Sequence, residues 1–178
     1  DVCSSDLADM RVRGFLIGAT SGRTTLAGEG LQHQDGHSLL AASVVPNLKA
    51  YDPAYSYELA VIIQDGLKQM YHDGKDIFYY ITVQNENYSH PDMPENTQEG
   101  IIKGLYCIQE AKPDMPKVRL LGSGSLLREA KAAAELLEKD WNITSEIWSV
   151  TSYSELRKES ENIRRWNTLH PNKKQKTC

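Results

Sequence analysis

The feature that most constrains the fold is a helical pattern followed directly by a continuous apolar run. Apolar residues recur at helical spacing along one face of residues 55–70. After a polar break, residues 77–83 form a β-branched and aromatic run, which is typical of a strand covered on both faces. A helix that leads into such a strand indicates an α/β sheet. The helical face consists of Tyr55, Leu59, Ile62, Ile63, Leu67 and Met70.

Three neighbouring segments extend this pattern. Residues 14–18 are a short apolar run bounded by glycines and predict a buried strand. Residues 39–45 are apolar and stop at Pro46, which predicts a short strand, or a strand after a helical turn. Asp52 followed by Pro53 is typical of a helix start, because the carboxylate can accept from free backbone N–H groups and proline suits the first helical position.

A second α/β unit is predicted after residues 85–100, which contain two prolines, several polar residues and no apolar stripe. We interpret this segment as an inter-domain linker and place the boundary near Pro94. Beyond it, residues 118–121 predict a strand, residues 122–125 a turn, residues 126–139 a helix and residues 147–150 a strand. This order is a β-α-β unit, and we expect a right-handed crossover.

Composition excludes several classes of protein. The 178 residues are 40% hydrophobic and 25% charged, as in globular proteins, and the formal charge of -4 offers no basic surplus for nucleic acid. The sequence contains no run of about 18 apolar residues, so no membrane span is predicted. The start also lacks the pattern of a signal peptide, and we therefore expect a cytoplasmic protein. The three cysteines form no pattern typical of a disulfide framework or a zinc knuckle.

Both ends of the sequence look foreign to the pattern between them. Residues 1–7 are what a common sequencing-adapter oligonucleotide would encode, so residues 1–9 are predicted to be a non-native, adapter-like leader. Residues 171–178 are a polar run that looks like the arbitrary stop of a reading frame. We therefore expect an internal fragment of a longer protein.

The stretch richest in candidate chemistry is residues 28–38, GEGLQHQDGHS, which packs two histidines, two carboxylates and three glycines into eleven positions. The residues alone allow three readings. The first is an active-centre loop in which a histidine handles protons. The second is a metal site, because His33, Asp35 and His37 alternate and could face one way on an extended segment. The third is a solvated polar turn.

Two other motifs invite a functional reading. Residues 122–125 lie between a strand and a helix, where free backbone N–H groups can bind an anion. They lack the lysine of a phosphate loop, so we interpret them as an ordinary turn with Ser125 near the helix cap. Gln64, Asp65 and Gly66 resemble part of a magnesium and diphosphate motif, but Asp65 falls inside the predicted helix and we reject this site.

In unbroken order over residues 10–171, the sequence resembles the homodimeric, bacterial type of pyruvate dehydrogenase first component. Many short segments carry this resemblance, which makes it more specific than any single motif. They are RGFLIGATSGRTTL (13–26), GEGLQHQDGHS (28–38), YDP (51–53), YYIT (79–82), NENY (85–88), MPE (93–95), LLGSGS (120–125), VTSYSEL (150–156), RWN (165–167) and LHP (169–171).

The resemblance implies a transketolase-like, thiamine-diphosphate-binding α/β fold. Residues 10–93 would be the latter part of the middle, pyrimidine-binding domain, and residues 94–178 the start of the C-terminal domain. It implies that the histidine matching His33 faces the substrate adduct on the thiazolium ring, with the glutamate matching Glu29 in the same hydrogen-bond network. Asp35 and His37 are expected to support that network.

The activity implied is oxidative decarboxylation of pyruvate with acetyl transfer to the lipoyl group of dihydrolipoyl acetyltransferase. Thiamine diphosphate and Mg²⁺ would be bound mainly by parts of the parent enzyme upstream of this piece, and the isolated piece is expected to be inactive. The partners implied are pyruvate, a second subunit and the acetyltransferase core. Two alternatives stay open: a transketolase or another two-carbon transfer enzyme, and a non-catalytic relic of the fold.

Overall fold

Two three-stranded sheets, each flanked by helices, make up the computed structural model of the chain, which describes residues 2–19, 35–84 and 87–177. The confirmed α/β class follows from the alternation of helices and strands along the chain. The elements are α1 (Val2–Asp9), β1 (Phe15–Gly18), α2 (Ser38–Ser43), β2 (Leu48–Tyr51), α3 (Ser56–Leu67) with a π-helical turn (Lys68–His72), β3 (Phe78–Thr82), α4 (Gln98–Lys103), β4 (Tyr106–Gln109), β5 (Lys117–Gly122), α5 (Leu126–Trp141), β6 (Thr144–Ser149) and α6 (Tyr153–Leu169).

The first sheet has the strand order β1-β3-β2, and all three strands are parallel. Strand β3 is central, as the apolar run at residues 77–83 predicted, and Phe78, Tyr79 and Ile81 are at most 1% exposed. The predicted strand at residues 14–18 is confirmed as β1. In such a sheet every side chain of the central strand meets either a helix or another part of the core, which is why its sequence does not alternate.

Helix α3 is confirmed, but its start is not where the sequence predicted it. The helix begins at Ser56 rather than at Asp52 and Pro53. The carboxylate of Asp52 accepts hydrogen bonds from Thr82 and Ser123 instead. The N–H groups of Ala54 and Tyr55, which precede the helix, donate to the carboxylate of Glu58, three residues past the cap position. Asp52 is therefore not needed as a cap for this helix.

The expectation of a strand within residues 39–45 is wrong, because these residues belong to α2 and the turn that follows it. Leucine and alanine dominate this stretch and favour a helix, and Asp35 supplies a cap for its first turn. The strand is β2, which begins two residues after Pro46 and places Leu48 and Ala50 in the core.

Residues assigned to a non-native leader form α1. Partly buried Leu7 and Ala8 pack against the hydrophobic cluster under α2 and β2. The backbone carbonyl of Ala8 also accepts a 3.5 Å hydrogen bond from Asn47. Whether residues 1–9 are native stays a prediction, since a short apolar segment can pack on a sheet whatever its origin.

The second sheet has the order β4-β6-β5. The predicted β-α-β unit is confirmed as β5, α5 and β6, because β5 and β6 are parallel and α5 joins them. Strand β4 pairs antiparallel with β6 on the other side. No prediction was made for α4, β4 and α6, and the short α4 and β4 carry too few apolar residues to show a period.

The two units share one core although a boundary was predicted between them. No regular element occupies residues 87–97 of the described chain, which agrees with the irregular composition there. Ile101 in α4 and Tyr106 in β4 nevertheless belong to the same buried cluster as Tyr51, Ile62 and Ile81. The position of the boundary stays a prediction, but the second unit packs firmly against the first. Among the described residues, no helix is long and apolar enough to span a membrane.

Gly104 gives a test of how closely the two units pack. It ends α4 with a left-handed φ of 106°, and a Cβ there would lie 2.4 Å from the backbone oxygen of Ser152. We expect Gly104→Ala to lower the free energy of unfolding by at least ~2 kcal/mol, from backbone strain and overpacking together. Gly74→Ala is the matched control, since Gly74 also has a positive φ of 67° but open space around it. Equal losses for both variants in urea-induced unfolding would contradict the close contact.

Candidate functional site

The carboxyl ends of the three parallel strands in the first sheet meet at one edge. Gly18 ends β1, Tyr51 ends β2 and Thr82 ends β3, and Gly18 stands opposite Thr82 in the strand register. In α/β proteins with open parallel sheets, ligands bind in the crevice outside the carboxyl ends of the strands, at the point where the strand order reverses. The chain leaves β1 at this edge after Gly18, and most of the candidate segment at residues 28–38 lies outside the described residues.

Of the four predicted site residues, Glu29 and His33 lie outside the described residues. Asp35 and His37 are described, at the start of α2. Asp35 is partly buried, and its carboxylate accepts a 3.0 Å hydrogen bond from the Ser38 N–H and a second bond from the Ser38 hydroxyl. His37 is exposed at the cap position of α2 and makes no capping bond with its side chain.

Asp35 therefore holds one end of the predicted active-centre segment. Helix α2, which it caps, is fixed to the core by Ala42 and packs along β2. A carboxylate at a helix N-terminus is favoured by the free N–H groups and by the helix dipole. The backbone bends between Asp35 and His37 and is not extended there. The metal-site interpretation required an extended segment, so it does not hold for these two residues.

Asp52 is a buried carboxylate at this edge, which the sequence analysis assigned to a helix start. It follows β2 directly and is 3% exposed. Its carboxylate accepts from the Thr82 hydroxyl at 2.5 Å and from the Ser123 hydroxyl at 2.8 Å. Its backbone also joins the second unit, since its N–H donates to Thr151 at 2.8 Å and its carbonyl accepts from the Gly124 N–H at 3.1 Å. A carboxylate that follows a buried strand at the carboxyl edge was the available signal.

The turn at residues 122–125 is confirmed as a strand-to-helix turn with Ser125 at the cap position of α5. Its neighbour is the side chain of Asp52. A Cβ on Gly124, whose φ is 51°, would lie 2.6 Å from one Asp52 carboxylate oxygen and 2.7 Å from the Gln84 amide nitrogen. The chain's own carboxylate therefore fills the place where an external anion would approach this helix N-terminus.

Glu58 is a second buried carboxylate that joins the two units. It is 0% exposed, and one oxygen accepts from the N–H groups of Ala54 at 2.5 Å and Tyr55 at 3.1 Å. The other oxygen accepts from the Tyr106 and Ser149 hydroxyls, both at 2.6 Å. Four donors replace the water that burial removes, which is the condition for tolerating a buried charge.

The tyrosines around Glu58 respond to its burial and charge. Burial, with the nearby charge of Glu58, raises the pKa of Tyr106 well above its usual range. Burial also raises the pKa of Tyr57 to about 12, although the hydrogen bond with Tyr106 acts in the opposite direction. Both phenols therefore stay neutral and act as hydrogen-bond donors at physiological pH.

The described residues do not fit a magnesium and diphosphate site. Nowhere in residues 2–19, 35–84 and 87–177 do three or more His, Cys, Asp or Glu side chains form a group that could hold a metal ion. Asp65 lies inside α3, as predicted, and its carboxylate accepts from Gln69 and Tyr79. We therefore derive no chemical step through a metal or a diphosphate from these residues.

Comparison with protein families divides the chain in two. The model of the pyruvate dehydrogenase E1 component middle domain matches residues 3–91. The model of the transketolase-like C-terminal domain matches residues 104–176. The first match begins within α1, and both fit the transketolase-like fold that the resemblance implied.

Individual relatives match almost the whole chain. The pyruvate dehydrogenase E1 component of Pseudomonas aeruginosa is 57% identical over 169 residues, which is 94% of this chain and 19% of the relative. That of Escherichia coli strain K12 is 52% identical over 172 residues, 96% of this chain and 19% of the relative. The chain thus spans about a fifth of the length of the relatives that it matches.

Solved structures show the same fold at lower identity. Transketolase from Campylobacter jejuni superposes with a TM-score of 0.65 and 22% identity, covering 85% of this chain and 22% of that one. A mutant transketolase from Pichia stipitis gives a TM-score of 0.61 and 19% identity, covering 84% of this chain and 20% of that one.

Replacing the buried carboxylate of Glu58 tests its role in joining the units. We expect Glu58→Gln to lower the free energy of unfolding by ~2 kcal/mol or more, because charge-assisted hydrogen bonds become neutral ones and one acceptor becomes a donor. The exposed Glu135→Gln on α5 is the control and should change the same quantity little. A Glu58→Gln variant as stable as the control in urea-induced unfolding would contradict this account.

The raised pKa of Tyr57 predicts a loss of stability at alkaline pH. Above the usual tyrosine pKa of 10.0, the unfolded chain releases this proton while the folded chain keeps it up to about 12. Since the unfolded state then binds fewer protons than the folded state, stability falls as pH rises between these values. Tyr57→Phe should make the fall of the urea midpoint with pH less steep. If the urea midpoint of Tyr57→Phe falls with pH as steeply as that of the wild type, Tyr57 has the same pKa in the folded and unfolded states and the prediction is wrong.

Proposed function

Because the chain belongs to the family of pyruvate dehydrogenase E1 components, we propose that the full-length protein containing it decarboxylates pyruvate oxidatively with thiamine diphosphate and Mg²⁺. It passes the acetyl group to the lipoyl group of a dihydrolipoyl acetyltransferase core and works as a homodimer. The observation that carries this proposal is the sequence identity with pyruvate dehydrogenase E1 components. For the protein of Pseudomonas aeruginosa the identity is 57% over 94% of the chain. The cytoplasmic location belongs to the same proposal.

Thiamine diphosphate supplies the electron sink that decarboxylation requires, which no amino-acid side chain provides. The contribution of this chain is to orient the substrate, exclude water and move protons. In this proposal His33 would donate a hydrogen bond to the ketone oxygen of pyruvate, which gains negative charge when the carbonyl carbon is attacked. Glu29 fixes the orientation of that imidazole and favours its protonated form.

Asp35 and His37 have different supporting roles in this proposal. The Asp35 carboxylate accepts hydrogen bonds from the N–H and hydroxyl groups of Ser38 and is therefore fixed at the start of α2. A fixed anchor limits the positions available to the imidazole, and small displacements of a catalytic group cost large factors in rate. His37 is exposed in this chain and is the more peripheral of the pair, available to a neighbouring part of the full-length protein.

Two experiments separate this proposal from its alternatives. Transketolases share the fold, so the full-length protein should be assayed both for carbon dioxide release from pyruvate and for two-carbon transfer between sugar phosphates. Release from pyruvate alone supports the proposal, and sugar-phosphate transfer alone overturns it. Calorimetric titration with thiamine diphosphate separates an enzyme from a relic, because a relic of the fold should not bind the cofactor.

Substitution of His33 is the sharpest test of its assigned role. In the full-length protein we expect His33→Ala to lower complex activity about 100-fold or more, because a general acid or a charge-stabilising donor contributes rate factors of roughly this size. The measurement is the turnover number of the reconstituted complex with pyruvate.

The control is His72→Ala, at an exposed histidine of the first unit far along the chain from the candidate segment. It should leave turnover unchanged. Unchanged turnover in His33→Ala would refute the assigned role. The melting temperature of that variant would show whether a loss of turnover comes from a loss of thermal stability.

A further inference from the structure

A cavity of about 520 Å³ lies between helix α6, strand β2 and helix α4. It collects positive charge although the chain as a whole carries a formal charge of -4. A volume of this size falls in the range of small-molecule sites. Among the described residues that line the cavity are four lysines, Lys49, Lys103, Lys158 and Lys176, and two glutamates, Glu155 and Glu159.

Two of these lysines share one carboxylate. The Lys158 ammonium donates to one oxygen of Glu155 at 3.0 Å and to the backbone carbonyl of Leu48 at 2.7 Å. The Lys49 ammonium lies 3.6 Å from the other oxygen of Glu155, which is too long for a hydrogen bond. The three charged groups together therefore keep a positive charge, and they lie against each other at the wall of the cavity.

The ammonium group of Lys49 is the least satisfied member of this cluster. Only 20% of the Lys49 side chain is exposed. In the described part of the chain, no group accepts a hydrogen bond from it, and its other contact is the ring of Tyr79, whose centroid is 6.0 Å away. An ammonium group has three donors and is strongly hydrated in water. An anion in the cavity would supply the acceptors that this group lacks.

The other two lysines extend the positive wall. Lys103 pairs with Glu99 of its own helix at 2.8 Å, and Glu159 adds a second negative charge near it. The Lys176 ammonium lies 4.3 Å from the centroid of the Trp166 ring, and two hydrogen bonds hold the Lys176 backbone to α6. Among the described residues, no carboxylate forms an ion pair with Lys176, so its charge also favours an anion in the cavity.

The remaining wall indicates what kind of anion fits. Ile102, Ile163 and Trp166 line the same cavity. An anion with an organic part would cover these apolar side chains, whereas a bare ion would leave them in contact with water. None of the described lining residues is an arginine, whose planar fork matches a carboxylate, while lysine binds phosphate as a point charge.

We propose that this cavity binds a small organic phosphate ester, with Lys49 and Lys158 holding the phosphate group and the apolar wall covering the organic part. The inference goes beyond the proposed function, because it concerns equilibrium binding and involves no step of the reaction. Lys49 belongs to β2 of the first unit and Lys158 to α6 of the second. A bound ester therefore contacts both units and stabilises the folded protein by mass action.

The test is calorimetric titration of the full-length protein with phenyl phosphate at about pH 8, where a phosphate monoester carries two charges. Excess thiamine diphosphate is present throughout, so that a cofactor site is already filled. We expect the wild type to bind phenyl phosphate and Lys49→Gln to bind it about 10-fold or more weakly, because charge-assisted contacts are lost. Lys139→Gln, at an exposed lysine of α5, removes the same charge and should bind within about 2-fold of the wild type.

Two further probes identify the class of ligand. Benzoate has a similar ring but one negative charge, and it should bind about 10-fold or more weakly than phenyl phosphate. Benzoate bound as tightly as phenyl phosphate would overturn the assignment to phosphate. Inorganic phosphate bound as tightly as phenyl phosphate would overturn the ester and assign the site to free phosphate.

The site itself is overturned if the wild type binds no phenyl phosphate, or if Lys49→Gln binds it as tightly as the wild type does. The melting temperature gives a second readout: phenyl phosphate should raise it in the wild type and in Lys139→Gln, but not in Lys49→Gln. If Lys49→Gln does not fold, Lys103→Gln replaces it, at a lysine whose side chain is 56% exposed. This variant should weaken binding about 3-fold or more, and unchanged binding would overturn the site.

Discussion

Two buried carboxylates, Asp52 and Glu58, join the two sheets of this chain, and the rest of the structure depends on how they are satisfied. Burying a carboxylate costs several kcal/mol unless hydrogen bonds replace its hydration. Glu58 meets this condition with two backbone N–H groups and two hydroxyls, and Asp52 does so in part with hydroxyls from both units. Because half of these donors come from the second unit, neither carboxylate is satisfied unless the units are docked.

This requirement explains why a segment that looks like a linker connects units that pack as one body. An inter-domain contact made only of apolar side chains can slide, whereas directional bonds to buried charges allow one arrangement. The arrangement places the carboxyl edge of the first sheet against the turn before α5. The edge at which the chain leaves β1 is therefore backed by the C-terminal unit.

Much of the fold could be predicted from periodicity alone. Strand β3, helix α3 and the β5, α5, β6 unit each carry long, consistent patterns, and the structure confirms them. The prediction of a strand within residues 39–45 was wrong, because α2 is only six residues long, with a serine at each end, and is too short to show whether its period is 2 or 3.6. It was wrong again at the start of α3, because a local capping rule at Asp52 was overridden by tertiary bonds to Thr82 and Ser123 that lie far away in sequence. Glu29 and His33 were predicted as catalytic residues from the family resemblance alone. The residues themselves do not decide the matter, because histidine and glutamate near glycines fit an ordinary turn equally well.

The central claim is that the imidazole of His33 works beside bound thiamine diphosphate in a much longer enzyme. The most direct measurement is a crystal structure of the full-length protein with thiamine diphosphate and an unreactive pyruvate analogue. The account predicts an imidazole nitrogen of His33 about 3 Å from an oxygen of the analogue, within hydrogen-bond reach. A ring that points into solvent, away from the cofactor, would contradict it.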